Sequence, residues 1–149
     1  MKELSQKIIS KLPYGKGFLF VDEITYVDED RIVGNYTFNA EASYYKWHFK
    51  HRPVTPGVLL IETMGQIGMV SHIIYLEKVY ESDSVIVPIM PSCCECNFFK
   101  EVSSNDMLEV ESEKIYYRHG VLKSKIVLRN SNKEVCAASI GNVKLLKNE

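Results

Sequence analysis

Apolar and polar residues alternate along several stretches of this chain, as they do in strands that bury one face. In residues 107–117, Leu108 and Val110 alternate with Glu109 and Glu111, which predicts a half-buried strand. Other stretches are predicted as strands because they are rich in β-branched and aromatic residues between turn residues. The predicted strand segments are 18–28, 31–39, 85–102 (interrupted by Pro88 and Pro91), 107–117, 121–129 and 134–146. The chain therefore has about six strands, mostly joined as hairpins.

Helical periodicity appears twice. Leu4, Ile8 and Leu12 follow a helical spacing near the N-terminus and predict a short amphipathic helix. A second helix is predicted in the apolar run that extends to Leu76, with Thr55 as its N-cap and Pro56 at its first helical position. Gly65 and Gly68 lie inside this second helix. Glycine is unfavourable there, so either a backbone or ligand approaches closely, or the helix packs tightly on a sheet.

A helix that is apolar on nearly all sides must be covered on most of them. An antiparallel sheet curled around the helix would achieve this, and the sequence therefore predicts an α+β fold. Residues 1–149 are predicted to form a single domain, since a chain of 149 residues can bury a substantial core.

Charge and composition exclude several classes of function. The formal net charge of −1 argues against nucleic acid as a partner, because there is no basic excess to neutralise phosphates. Four cysteines without an export signal predict a cytoplasmic protein with reduced thiols. The run 54–76 has the length of a membrane span, but it contains Glu62, Gln66 and His72, which are costly in lipid. We therefore predict a buried core helix and no membrane span.

Two ionisable residues close to the start of the second helix are candidates for catalysis. His48 lies in an aromatic neighbourhood, and Glu62 is the one charged residue in the run 53–76. Spacing alone also allows both to be buried structural residues with local partners. The free N–H groups expected near Gly57 favour chemistry, because they suit a carbonyl oxygen that gains negative charge. A base, an acid and such a site together predict proton abstraction next to a carbonyl.

The segment that contains these residues resembles the signature of the β-hydroxyacyl-acyl-carrier-protein dehydratases, G-H-F-P-x-x-P-V-x-P-G-V-L-x-x-E-x-x-x-Q. The residues that match in register are His48, Phe49, Pro53, Val54, Pro56, Gly57, Val58, Leu59, Glu62 and Gln66. A second family element, L-P-x-x-x-x-F-L-x-V-D, is matched upstream by Leu12-Pro13, Phe18-Leu19 and Val21-Asp22. Phe98 and Lys100 fall where the family has a Phe followed by basic residues.

The resemblance implies a hotdog fold, in which an antiparallel sheet wraps around one long central helix. It also implies a homodimer or a higher homo-oligomer, with His48 of one subunit and Glu62 of the other in each active site. By the family's chemistry, His48 removes the α-proton of a (3R)-hydroxyacyl thioester on acyl carrier protein, and Glu62 helps the β-hydroxyl leave as water. The Gly57 amide would bind the thioester oxygen, and Gln66 would orient Glu62 by a hydrogen bond. The resemblance further places Phe49, Val58 and Phe98 among the substrate-binding residues.

The chain departs from the family motif next to the proposed base. Trp47 replaces the usual Gly, and Lys50-His51 replaces the usual Pro-Gly. Upstream, Tyr14 and Gly17 stand where His and Pro are common. These changes predict a divergent member with a specialised acyl substrate, in fatty acid synthesis or in a related polyene or secondary pathway.

Three alternatives remain from the sequence. A hotdog thioesterase would use a helix carboxylate to activate water, and a non-catalytic acyl-binding subunit would keep the fold alone. The third concerns Cys93 and Cys96, which form a single C-x-x-C that could indicate a zinc site or a redox pair. Structural zinc needs four converging ligands, so we predict neither a metal site nor any other cofactor. Lys100 is predicted to contact the acidic carrier protein.

Overall fold

The strands of the protein form one antiparallel sheet. The structure, a computed structural model, describes residues 1–148 and all of their side chains except those of Cys93 and Cys94. Within that range the strands are β1 (Glu23–Val27), β2 (Arg31–Thr37), β3 (Val85–Ile89), β4 (Cys93–Phe98), β5 (Met107–Arg118), β6 (Val121–Arg129) and β7 (Val135–Asn148). Their order across the sheet is β1-β2-β5-β6-β7-β3, and β4 also pairs with β7.

The strand β7 is long enough to pair with two strands along one edge. Its earlier part, residues 137–141, pairs with β4, and its last part, residues 144–148, pairs with β3. Both strands of the β5–β6 hairpin and β7 form the meander predicted from the alternating pattern. Turns at His119-Gly120, where both residues have positive φ, and at 130–133 close the two hairpins as predicted.

One helix of 20 residues, Gly57–Leu76, lies against the inner face of the sheet, and we call it the central helix. It consists of α3 (Gly57–Gly65), a π-helical turn (Gln66–Val70) and α4 (Ser71–Leu76). The remaining helical pieces are α1 (Lys2–Ser10), the 3₁₀ turns Lys16–Phe18 and Val79–Glu81, and α2 (Tyr44–Trp47). The predicted N-terminal amphipathic helix is confirmed in α1. The antiparallel sheet around one helix, and with it the α+β class, is also confirmed.

The central helix supplies the middle of the core. Its fully buried apolar side chains include Met64, Ile67, Ile73 and Ile74. The helix is long and apolar enough to cross a bilayer, but 72% of its most apolar window is buried inside the protein. It is therefore the core helix of the sheet, in agreement with the sequence prediction.

Gly68 explains how closely the helix approaches the sheet. A Cβ atom placed on Gly68 would lie 3.0 Å from Ser112 Cβ and 3.1 Å from Ile126 side-chain atoms. Of the two explanations predicted for the glycines, tight packing of the helix on the sheet is therefore the correct one at Gly68. At Gly65 the nearest atom to a Cβ would be Met90 Cε at 3.6 Å, which is an ordinary contact distance.

Several predicted boundaries were wrong. The predicted strand 18–28 is a strand only over Glu23–Val27, because Gln66 holds the backbone at Phe18 and Phe20 in place of a strand partner. The segment 85–102 contains two strands, so the sheet has seven strands within the described residues rather than six. Pro88 is tolerated inside β3, since β3 lies at an edge of the sheet.

The predicted helix start was also wrong. The central helix begins at Gly57, so Pro56 occupies the N-cap position rather than the first helical position. Thr55 does not cap the helix, because its hydroxyl is 2.6 Å from the Tyr45 hydroxyl and shares a hydrogen bond with it. Its backbone N–H donates to the Val102 carbonyl at 3.1 Å.

Candidate active site

The His48 side chain is held at the end of α2. Its backbone N–H donates to the Tyr44 carbonyl at 2.9 Å, and the imidazole ring stacks on the Phe49 ring with centroids 4.2 Å apart. Nδ1 of His48 lies 3.1 Å from the Val54 carbonyl oxygen. Because a carbonyl can only accept, this contact assigns the proton to Nδ1 and leaves Nε2 as an acceptor.

The start of the central helix lies next to His48. The backbone N–H groups of Gly57 and Val58 have no hydrogen-bond acceptor within residues 1–148, as expected for the first residues of a helix. The loop before them is fixed, since the Val54 N–H donates to the His48 carbonyl at 2.9 Å. This helix end therefore offers unpaired donors and a positive dipole.

His48 and the helix start open into one cavity of about 390 Å³, which we call the His48 cavity. Its lining residues are His48, Val54, Thr55, Gly57, Leu60, Phe98, Phe99, Lys100, Glu101 and Val102. A Cβ on Gly57 would lie 3.0–3.4 Å from atoms of the Phe98 ring. The absence of a side chain at Gly57 therefore lets the Phe98 ring pack against the helix start.

Glu62 is fixed by a network centred on Gln66. Nε2 of Gln66 donates to Glu62 Oε1 at 2.9 Å and to the Phe18 carbonyl at 2.9 Å. Oε1 of Gln66 accepts the Phe20 N–H at 2.8 Å. The predicted hydrogen bond between Gln66 and Glu62 is present, and it is part of a larger contact that joins the helix to the segment before β1.

Glu62 faces a second cavity, also of about 390 Å³, which we call the Glu62 cavity. Its lining residues are Pro13, Tyr14, Glu62, Gly65, Val70, Val87, Pro88, Met90 and Val143. Burial and the charge of Glu62 raise the pKa of Tyr14 above its usual range. No role was predicted for Tyr14 from the sequence, although its departure from the family motif was the signal that could have pointed to it.

The structure does not bring His48 and Glu62 together within one chain. The two cavities share no lining residue. Gly57 and Phe98 lie with His48, whereas Gln66 lies with Glu62. Within one subunit the predicted site is thus divided into two halves.

The other predicted residues are placed as follows. Phe49 and Val58 are exposed, as is Trp47, and neither Phe49 nor Val58 lines either cavity. Lys100 lines the His48 cavity, but its ammonium group is paired with Glu134.

The C-x-x-C prediction falls partly outside the described residues, because the Cys93 side chain is not among them. Among the side chains that the structure does describe, no cluster of three or more His, Cys, Asp or Glu residues could hold a metal ion. The prediction of no metal at Cys93 and Cys96 remains a prediction.

Comparison with known proteins connects this geometry to a family. The model of the FabA-like domain matches residues 12–139, which include both cavities' ionisable residues and most of the sheet. The chain belongs to the FabA-like family. Among its relatives, the 3-hydroxyacyl-[acyl-carrier-protein] dehydratase FabZ of Bacillus licheniformis is 30% identical over 139 residues, covering 91% of this chain and 92% of that protein. FabZ of Geobacillus sp. (strain WCH70) is 32% identical over 136 residues, covering 91% and 90%.

Solved structures of much lower sequence identity share the fold of this FabA-like chain. The dehydratase heterocomplex ApeI:P from Xenorhabdus doucetiae has a TM-score of 0.76 at 11% identity, covering 93% of this chain and 90% of that chain. A hypothetical thioesterase with coenzyme A from Streptococcus pneumoniae has a TM-score of 0.62 at 12% identity, covering 85% and 87%. The predicted hotdog fold is confirmed.

Proposed function

We propose that the protein dehydrates a (3R)-hydroxyacyl thioester on acyl carrier protein to the trans-2-enoyl thioester, in fatty acid synthesis or a related acyl pathway. The observation that carries the proposal is the His48 cavity, in which an imidazole with a free Nε2 and the unpaired Gly57 amide face the same space. Family membership and the FabZ relatives support the same reaction. The reaction requires no cofactor.

The chemistry follows from what each group can donate or accept. Nε2 of His48 takes the α-proton, and the electron pair of that C–H bond forms the new double bond. The Gly57 N–H donates to the thioester oxygen, which gains negative charge as the proton leaves. Glu62 in its protonated form donates its proton to the β-hydroxyl, which departs as water with the electron pair of the C–O bond and leaves Glu62 ionised. Gln66 holds Glu62 in position for that transfer.

A complete site on this scheme needs two subunits, because His48 and Glu62 line separate cavities in one chain. The proposed assembly is a homodimer or a higher homo-oligomer with a His48 cavity of one protomer beside a Glu62 cavity of its partner. Exposed apolar side chains near both cavities, including Val58, Phe99 and Val87, support a buried contact there. The solved ApeI:P dehydratase is a heterocomplex, so a related second chain is the alternative partner.

The carrier protein is proposed to dock beside the His48 cavity. Lys100 lies there and Arg52 is near it, but Arg52 forms two hydrogen bonds of 2.7 and 2.6 Å with Glu101. Since both cations already have acidic partners, we expect the carrier to compete for them, and added salt to weaken the complex. The proposed location is the cytoplasm.

The test is a panel of (3R)-hydroxyacyl chains on acyl carrier protein, followed by intact mass. Dehydration lowers the mass of the loaded carrier by one water, and His48→Ala and Glu62→Gln should each lower the rate by about 10²–10⁴-fold. A Lys46→Ala variant, at an exposed position outside both cavities, is the matched control. Release of free acid would favour the thioesterase, and no change with any thioester would favour an acyl-binding subunit.

A further inference from the structure

The Glu62 cavity has a second polar side chain that the scheme above does not use. Of its nine lining residues, Tyr14 and Glu62 alone carry oxygen atoms in their side chains, and the others are Pro, Gly, Val and Met. An apolar cavity with a few placed polar groups is the usual form of a ligand site, in which those groups fix the orientation of the ligand.

The segment that carries Tyr14 is joined to the central helix near Glu62. Gln66 binds the Phe18 carbonyl and the Phe20 N–H, and the same Gln66 amide binds Glu62. The segment that carries Tyr14 is therefore attached to the central helix at the residue that orients the acid. In addition, Leu12, two residues before Tyr14, is buried in the core.

The Tyr14 hydroxyl has no hydrogen-bond partner within the part of the chain that the structure describes, and it does not bond to Glu62. The two groups are nevertheless close enough for the carboxylate charge to raise the Tyr14 pKa, in addition to the larger effect of burial. The phenol is thus a neutral donor at working pH. Two polar groups that are not bonded to each other therefore line the same cavity, and both are available to a ligand there.

We propose that the Tyr14 hydroxyl donates a hydrogen bond to the oxygen on the β-carbon of the substrate, the oxygen that Glu62 protonates. This inference rests on the proposed dehydration. As the C–O bond breaks, the oxygen keeps the electron pair and takes one proton from Glu62, so water forms. Tyr14 keeps its own proton throughout, and its hydrogen bond strengthens as negative charge develops on the departing oxygen.

The inference predicts which acyl chains the site prefers. A 3-hydroxyacyl thioester would satisfy the unpaired phenol, whereas a saturated acyl thioester would leave it without a partner. Sites that hydrogen-bond a ligand hydroxyl discriminate against the analogue that lacks it, because their own polar group is then left unpaired. Most of this preference should come from the Tyr14 hydroxyl, and removing that one atom should reduce it.

Binding measured without turnover tests this directly. In the His48→Ala protein, a medium-chain (3R)-hydroxyacyl pantetheine thioester should bind about tenfold more tightly than its 3-deoxy counterpart, as expected for one hydrogen bond. Adding Tyr14→Phe should reduce the preference to about twofold or less. Adding Tyr75→Phe, which alters a tyrosine stacked on Tyr80 outside both cavities, should leave it unchanged.

The outcomes separate this inference from the proposed function. An equal preference with and without the Tyr14 hydroxyl, or no preference in the His48→Ala protein, would overturn the role of Tyr14, even if the wild-type protein dehydrates its substrate. Failure of the wild-type protein to release water from any 3-hydroxyacyl carrier would instead overturn the dehydratase. If the protein is a dehydratase and Tyr14 has the proposed role, Tyr14→Phe alone should lower turnover by about tenfold.

Discussion

The Glu62 side chain raises the question of how a helix tolerates one carboxylate among apolar residues. Burial of an unpaired carboxylate is costly. Here one oxygen accepts a hydrogen bond from Gln66, and the side chain is only half-buried because it opens into a cavity. The acid is therefore held by a hydrogen bond and has access to a ligand. Gln66 is the residue on which this arrangement depends.

We predict that Gln66→Met destabilises the protein and lowers its activity. Methionine has a similar volume, but it leaves the Phe20 N–H and the Phe18 carbonyl without their partner and frees Glu62. The loss of these contacts should lower the free energy of unfolding by about 1–3 kcal/mol, which urea denaturation measures.

Thr63→Val is the matched control for that substitution. Thr63 is also fully buried in the central helix, but its hydroxyl donates only to the Leu59 carbonyl of the same helix at 2.7 Å. Its loss should change the free energy of unfolding by about 0.5–1 kcal/mol and leave Glu62 in place. Equal losses in the two variants would show that Gln66 does not join the helix to the segment before β1.

His72 is a second residue whose chemistry is set by burial. Its ring is fully buried, Nε2 lies 2.9 Å from the Asp28 carbonyl oxygen, and Nδ1 has no partner among the described residues. Burial lowers the pKa of His72 below its ordinary 6.5, although Asp28 and Asp30 oppose this effect and Lys114 adds to it. The imidazole is therefore neutral in the folded protein near pH 7.

We predict that stability falls as the pH drops below about 6.5, in part because of His72. In that window the unfolded chain binds a proton that the folded protein excludes, and the loss continues down to the lowered folded pKa. His72→Gln keeps a donor for Asp28 and removes the titration, so unfolding between pH 7 and pH 5 should depend less on pH. Equal slopes in the wild-type and His72→Gln proteins would contradict this account.

At the scale of elements, the spacing between the central helix and the sheet is set at Gly68. We predict that Gly68→Ala lowers the free energy of unfolding by about 1–3 kcal/mol, as overpacking does in other cores. The reason is the 3.0 Å approach of the added Cβ to Ser112 Cβ, which only a shift of the helix could relieve.

Gly65→Ala is the control one turn earlier. Its added Cβ would have 3.6 Å to its nearest neighbour, and alanine favours a helix over glycine by up to about 1 kcal/mol. Thermal unfolding should therefore show opposite signs for the two substitutions. A stabilised Gly68→Ala protein would mean that the sheet moves away easily at Ser112.

Local pattern predicted some elements and not others. The strands β5 and β6 were predictable, because one face of each is buried and apolar residues therefore alternate with polar ones along the sequence. Residues 18–22 have strand composition but no strand partner, because side-chain contacts from Gln66 replace the ladder. The π-helical turn at Gln66–Val70 was not predictable from periodicity. It begins at a site residue, and Ser71 Oγ donates to the Gln66 carbonyl there at 2.7 Å.

At the scale of the whole molecule, the sequence placed the candidate residues in one motif but could not show that they face two cavities. His48 and Glu62 are fourteen positions apart in the sequence, and they line different cavities in the structure. Only the family resemblance pointed to a site shared between subunits. On the proposed shared site, a second subunit would cover part of this surface, and the edge strand β3 contributes Val87 and Pro88 to the lining of the Glu62 cavity.

We therefore predict that β3 is part of the subunit contact. Val85 and Ile89 are 64% and 42% exposed on this edge, where a further strand could pair. Val85→Lys combined with Ile89→Lys should give folded monomers with little activity, as measured by light scattering, circular dichroism and turnover, because a charge on each exposed side chain opposes burial. Val135→Lys, at the other end of β7, should leave the assembly intact. A fully active monomer would show that one chain completes the site, and the shared arrangement of His48 and Glu62 would be wrong.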